Sequence, residues 1–351
     1  MSRTTEFPTA ASGTPDTSGS TLTSHQHVTT SAPWDDHASV HRGLRAVTIA
    51  TCLPYLSLKL AWTAGNRTGI PEGSVLLDHE TFMRWANGVT LLMDAGVVVL
   101  ALLLTRPWGR RLPAWPPALT MWGAAGLLAP IVYGFPAQLA VRALGGTAAD
   151  PAPDGRPLLD EWVFGVVYGG FIVQGLGLGA LFALYARGRW GHLWRGRVAD
   201  LAACPPGRGQ RTAAAVAAVL ALMPAAVHLL WAAGSPAGLA PDLARSYSGD
   251  FAAGQSGHAL FALATTASLA LLVLGRGGRL PLSVPLVLAG LGSAATACWG
   301  GWPLLAALAG PDRSGTPLMI TTYAVQMITG TLVLAVGARF FAQRAARLRA
   351  A

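Results

Sequence analysis

The chain carries a succession of apolar stretches about 20 residues long, the length a helix needs to cross a hydrocarbon core about 30 Å thick. Eight are legible, near residues 44–64, 85–105, 114–134, 162–186, 213–234, 257–275, 283–305 and 318–338. Lipid offers no water to backbone polar groups, so a single segment of this length crosses as an α-helix with internal hydrogen bonds. The segments barely alternate polar and apolar faces, as a soluble bundle would. Charged residues make up only 12% of the chain, against roughly 25% in an ordinary soluble domain. These features predict an all-α polytopic membrane protein of eight transmembrane helices. The third and seventh spans carry Pro117, Pro130 and Pro285, which membrane helices tolerate when neighbouring helices re-satisfy the backbone.

A motif then recurs at fixed spacing. Trp62-Thr63-Ala64-Gly65 followed by Gly69 returns as Trp231-Ala232-Ala233-Gly234 followed by Gly238. Arg111-Leu112-Pro113 returns as Arg279-Leu280-Pro281, and Tyr133-Gly134-Phe135-Pro136 as Gly300-Gly301-Trp302-Pro303. The offset slides only from 169 to 168 to 167 residues, so the matches are collinear. Tyr168 with Gly175 matches Tyr323 with Gly330 at an offset of 155, which requires one loop to differ in length. The pattern predicts two four-span repeats, 44–190 and 213–351, the second ending in a basic C-terminal tail. An even number of spans per unit gives both copies the same orientation, related by an axis along the membrane normal.

Charge sets the expected orientation. With both termini in the cytoplasm, 18 arginines fall inside and 6 outside, and Lys59 lies within a span. Basic residues near span ends are retained on the cytoplasmic side, so the three-to-one bias predicts a multi-pass inner (plasma) membrane protein with cytoplasmic termini. The formal charge of +9 then reflects this topology and the anionic inner leaflet, with no nucleic acid partner required.

Residues 1–43 are rich in Ser, Thr, Pro and Asp and read as a disordered cytoplasmic tail unable to bury enough apolar surface to fold. The segment 191–212 reads as a basic cytoplasmic linker in which Trp194 alternates with arginines, either resting on anionic lipid or simply retained inside. Cys52 and Cys298 fall inside spans and Cys204 in a cytoplasmic loop, so no disulfide framework is expected. No Cys-x-x-Cys, His-Glu-x-x-His or phosphate-binding Gly-Lys-Ser/Thr run is present, so the sequence predicts no cofactor and no metal site.

Ionisable side chains within spans are expensive, and each is a functional hypothesis. Lys59 and His228 lie three residues before Trp62 and Trp231, so the repeat places a basic titratable group at one position in both units. Asp94 lies nearer the midplane of the second span, where the second unit has Leu263. Lys59 and Asp94 can form an ion pair between adjacent helices, either neutralising two buried charges or lining a substrate or proton path. His228 has three readings: a polar pocket shared with Lys59, Tyr133 and Trp302, a satisfied interior histidine, or a haem or metal ligand opposite His258. Gln174 and Gln326 are polar residues within spans, suited to a helix–helix hydrogen bond or to a ligand. Glycines crowd the fourth span, where small residues allow close helix approach.

The stretch His228-Leu229-Leu230-Trp231-Ala232-Ala233-Gly234 resembles a His-x-x-Trp-Ala-x-Gly signature of small bacterial four-span proteins of unknown function. The resemblance implies a fused tandem of that smaller unit. Lys59 and Thr63 depart from the signature in the first unit. High Ala, Gly, Arg and Trp usage is similar to that of actinobacterial membrane proteins. That family brings no activity with it.

The residues therefore suggest a transporter- or permease-like protein handling a small molecule or ion at an outward-facing pocket, with Lys59, Asp94, His228, Trp62, Trp231 and Tyr133 as candidate lining. The alternatives are a non-catalytic subunit or scaffold for a membrane protein partner and, third, an intramembrane enzyme or haem protein.

Overall fold

The computed structural model describes residues 33–74, 76–77, 80–148, 158–201, 206–309 and 315–350. Among them, eight helical segments are long and apolar enough to cross a membrane. The helices are α1 (Pro33–Ala50), α2 (Leu53–Thr63), α3 (Glu80–Thr105), α4 (Trp115–Ala143), α5 (Glu161–Trp190), α6 (Arg208–Ala232), the short α7 (Pro241–Arg245), α8 (Gly249–Leu274), α9 (Ser283–Ala309) and α10 (Pro317–Ala350). This is a polytopic all-α membrane protein. Large apolar side chains such as Leu92, Val219, Val287 and Leu305 are exposed on the helix surfaces, as a lipid-facing boundary requires.

The first span is not the continuous helix expected. It breaks at Thr51 and Cys52, between α1 and α2. Pro54 is the cause, since its ring opposes the carbonyl of Ala50 and it has no N–H to donate. Gln174 of α5 donates its side-chain amide to Thr51 O at 3.2 Å, at the break. The helix also starts earlier than expected: α1 begins at Pro33, within the stretch read as tail, and proline is favoured at a first helical position. Residues 1–32 and Cys204 lie outside the described residues.

The two halves pack differently. Leu100, Leu104, Leu178, Leu181, Met121 and Tyr185 fill the junction of α3, α4 and α5. The second half is closed by small residues, with Ala214, Ala217, Ala218 and Ala289 buried between α6, α8, α9 and α10. Short side chains let backbones approach and substitute for the hydrophobic drive that lipid removes. Across the halves, α4 packs on α8 and α9. Gly126 makes the α4–α9 approach possible, because an added Cβ would lie 2.5 Å from Ala294 O.

Both tryptophan turns have the same local build. Trp62 Nε1 donates to Thr68 O at 2.7 Å, and Trp231 Nε1 to Ala237 O at 2.9 Å. Gly65 and Gly69 have φ of 87° and 77°, and Gly234 and Gly238 of 89° and 72°, a region that L-residues avoid. Gly69 lies against Val163 at the start of α5, and Gly238 against Leu318 at the start of α10. At the opposite end of the bundle, Leu112 O accepts from Arg189, and Leu280 O from Val198 N at 3.0 Å. The linker is docked there: Leu282 N donates to Gly196 O at 3.0 Å, and Val198 is buried against Gly277.

Candidate functional site

A cavity of about 100 Å³ lies where the halves meet, between α4, α5, α8 and α9. Its lining comes from the last half of α4 (130–138), from Tyr168 of α5, from the first half of α8 (254–261) and from Ala295 to Trp299 of α9. It therefore sits nearer the end of the bundle that carries the tryptophan turns. Aromatic rings dominate the wall: Tyr133, Phe135, Tyr168, Phe261 and Trp299. Among the described residues, no Asp, Glu, Lys or Arg lines it.

The rings are braced by one another and by the backbone. Tyr168 stacks with Phe135 (centroids 5.0 Å, planes 21° apart) and with Phe164 (6.2 Å, 9°). The Tyr133 hydroxyl lies 2.9 Å from Ser256 Oγ. Ser256 in turn donates to Ala253 O at 2.7 Å, so the tyrosine supplies the proton of the Tyr133–Ser256 bond. Trp299 Nε1 donates to Leu127 O at 3.2 Å, tying α9 to α4.

His258 is one of the polar elements of the wall, with Gln138 and Thr296, and a buried network stands behind it. His228 of α6, with no exposed surface, stacks on His258 of α8 at 4.4 Å between centroids and 12° between planes. His228 Nδ1 lies 2.6 Å from Gln255 Oε1, and since a carboxamide oxygen only accepts, Nδ1 carries the proton. Gln326 Nε2 of α10 donates toward His258 Nδ1 at 3.4 Å. Three helices thus contribute four neutral polar side chains to one cluster. Among the described residues, His228 Nε2 and Gln326 Oε1, both buried, make no hydrogen bond of good geometry, a costly state that structural side chains normally avoid.

A second polar site lies between α2 and α3. Lys59 Nζ donates to Asp94 Oδ2 at 2.8 Å, with the lysine 1% exposed. Nζ also sits 3.7 Å from the centroid of the Tyr55 ring, a cation–π contact. Tyr55 packs edge-on to Phe171 (5.1 Å), and Phe171 to Tyr168 (6.4 Å), so an aromatic chain runs from the ion pair to the cavity wall.

The six sequence candidates are therefore distributed over distinct places. Tyr133 lines the cavity. His228 is one layer behind it, screened by His258. Lys59 and Asp94 pair with each other, away from the lining residues. Trp62 and Trp231 are core anchors of the two turns, buried with Ile70 and Leu239 respectively. Trp302 is 68% exposed and is not part of the wall. The face-to-face imidazoles do not suit a metal held between them, because ring-nitrogen lone pairs lie in the ring planes. Among the described residues, no three His, Cys, Asp or Glu side chains converge as a ligand set. Sequence reasoning passes over Gln255 and takes His258 only as a marginal ionisable group at a helix end or as a ligand opposite His228. Their i, i+3 spacing, which places both on one helix face, is the signal that points to them.

Set against protein families, curated proteins and solved structures, the chain has no match. What the site does must be argued from its own geometry.

Proposed function

We propose that this integral membrane protein takes up a small molecule in the cavity between its halves, as the binding step of a transporter or permease. The observation that carries the reading is the cavity itself, with His258 in its wall and a buried, incompletely paired polar network directly behind. Ligand sites are mostly apolar concavities with a few placed polar groups, and this one has that composition. Two parallel four-span units, related to a tandem of the small bacterial unit, would place such a site at their interface, where repeat transporters bind substrate. With the termini in the cytoplasm of the inner membrane, the cavity lies in the outer half of the bilayer. The Lys59–Asp94 pair stands apart from the cavity, separated from Tyr168 by Tyr55 and Phe171.

Native mass spectrometry of protein gently extracted from its own membrane tests this reading. Gly254 lines the cavity, and a Cβ there would meet nothing within 4 Å, so Gly254→Leu fills the space without a clash at its first atom. A stoichiometric small molecule on the wild type that is lost from Gly254→Leu is the expected result. Bare wild-type protein, or a molecule retained equally by both, would overturn it.

A further inference from the structure

The wall of this cavity also restricts what it can hold. Resting on the uptake reading above, we propose that the ligand is an uncharged, flat, ring-containing molecule bearing a carbonyl-type acceptor. Three observations converge on that class.

The first is charge. Among the described residues, no Asp, Glu, Lys or Arg lines the cavity. The nearest charged groups along the lining helices, Arg142 of α4 and Asp250 of α8, are bound to each other (Nε to Oδ1 and Oδ2, both 3.1 Å). An ion entering this wall would give up its hydration with no counter-charge to replace it, which costs far more than burying a neutral polar group.

The second is the way the rings are used. Cations are drawn to the open face of an aromatic ring, where the quadrupole is negative. Here at least one face of Tyr168, Phe135, His258 and Tyr133 is covered. Phe135 and Phe164 both stack with Tyr168, and His228 covers a face of His258. Gly257 packs against the Tyr133 ring, close enough that a Cβ would lie 2.8 Å from Cδ1. Ring edges carry the positive end of the quadrupole, and a ring whose face is covered has its edge left to offer an electron-rich ring face or a carbonyl oxygen.

The third is the polarity of His258. Gln326 Nε2 donates toward Nδ1, so the neutral imidazole carries its proton on Nε2. Nε2 is not among the buried unpartnered atoms, and His258 borders the cavity. The wall thus offers a ring N–H, with the Gln138 carboxamide and the Tyr168 hydroxyl as further polar groups, to an acceptor on the ligand.

Duroquinone and durene test the class, being the same tetramethylated ring with and without two carbonyls, and phenyltrimethylammonium supplies the cation. Binding to the full-length protein in nanodiscs is measured against empty nanodiscs to remove lipid partitioning. Duroquinone is expected to bind saturably and about tenfold more tightly than durene, the value of one well-placed hydrogen bond. His258→Phe is expected to abolish that preference while durene still binds, and Gly254→Leu to remove both. Tighter binding of the cation, or a duroquinone preference unchanged in His258→Phe, would overturn the proposal. A charged endogenous molecule displaced by Gly254→Leu would sink the ligand class and leave the uptake reading standing. No saturable binding of any probe, together with bare native protein, would remove both.

Discussion

The imidazole rings of His228 and His258 lie face to face, 4.4 Å between centroids and 12° between planes, and each is hydrogen-bonded at Nδ1 by a different glutamine. The inner ring has no exposed surface and the outer one borders the cavity, so the pair couples the protein interior to the site. Removing the inner ring strands the Gln255 oxygen. His228→Leu is therefore expected to destabilise by about 1–3 kcal/mol, the cost of an unsatisfied buried polar group plus lost packing. His228→Leu combined with Gln255→Leu should cost less than the sum of the two single changes. Thermal unfolding of the four proteins in one detergent closes the cycle, and strict additivity would show that the 2.6 Å contact has no energetic content.

The Lys59–Asp94 bond demands a similar cycle with larger numbers. Both side chains are almost wholly buried, and stranding one charge of a buried pair costs about 3–5 kcal/mol. Lys59→Met and Asp94→Leu are each expected to be poorly folded, and the double variant to recover most of the loss, because an apolar pair of similar volume is often as stable. A double variant that folds and still binds duroquinone would assign the pair to structure. One that folds but fails to complete uptake would assign it to the transport step. Failure of the double variant to recover stability would contradict the pairing itself.

The sequence discloses spans and charges more readily than it discloses the site, and the physical reason differs by residue. A span is a one-dimensional signal, since about 20 apolar residues suffice, and all eight helical segments fall where apolar length predicts. Lys59 and Asp94 are conspicuous because a charge in lipid is expensive wherever it sits. Gln255, His258 and Gln326 are neutral, and a neutral polar residue in a span is equally at home in a helix–helix hydrogen bond. Only the meeting of α6, α8 and α10 gives them a common address. The break at Thr51 was within reach, because Pro54 cannot continue an undisturbed helix. The aromatic wall was not, because it draws on α4 and α5 of one half and on α8 and α9 of the other.

The tryptophan turns permit a matched comparison between halves. Trp62→Phe and Trp231→Phe keep a ring in each core but delete the bonds to Thr68 O and Ala237 O. Each should cost about 1 kcal/mol, the net value of one hydrogen bond. Gly238→Ala should cost more, about 1–2 kcal/mol from its left-handed backbone and a further amount from the collision with Leu318. Equal ranking of Gly69→Ala and Gly238→Ala in thermal unfolding is expected if the turns are equivalent joints. A neutral result at either glycine would contradict the close approach to Val163 or Leu318.

Arg142 and Asp250 join the halves at the cavity end of α4 and α8, and the pair is asymmetric: the arginine is 49% exposed and the aspartate 3%. Two guanidinium nitrogens reach the carboxylate, while the neighbouring Gly249 N donates to Thr147 Oγ1 at 3.1 Å. Removing the arginine leaves a buried carboxylate without its cation, whereas neutralising the aspartate leaves a solvated arginine that water can satisfy. Arg142→Ala should therefore be the worse change, by about 2–3 kcal/mol relative to wild type. Asp250→Asn should be milder, since the amide oxygen still accepts. Arg142→Lys should fall between them, because an ammonium group does not reproduce the planar fork. Unfolding in detergent at two salt concentrations checks the order, and Debye screening should change it little because the carboxylate is buried. If Arg142→Ala and Asp250→Asn were equally mild, the bond would be an ordinary surface pair, and the halves would be held by α4, α8 and α9 packing with neutral hydrogen bonds such as Tyr133–Ser256 and Trp299–Leu127.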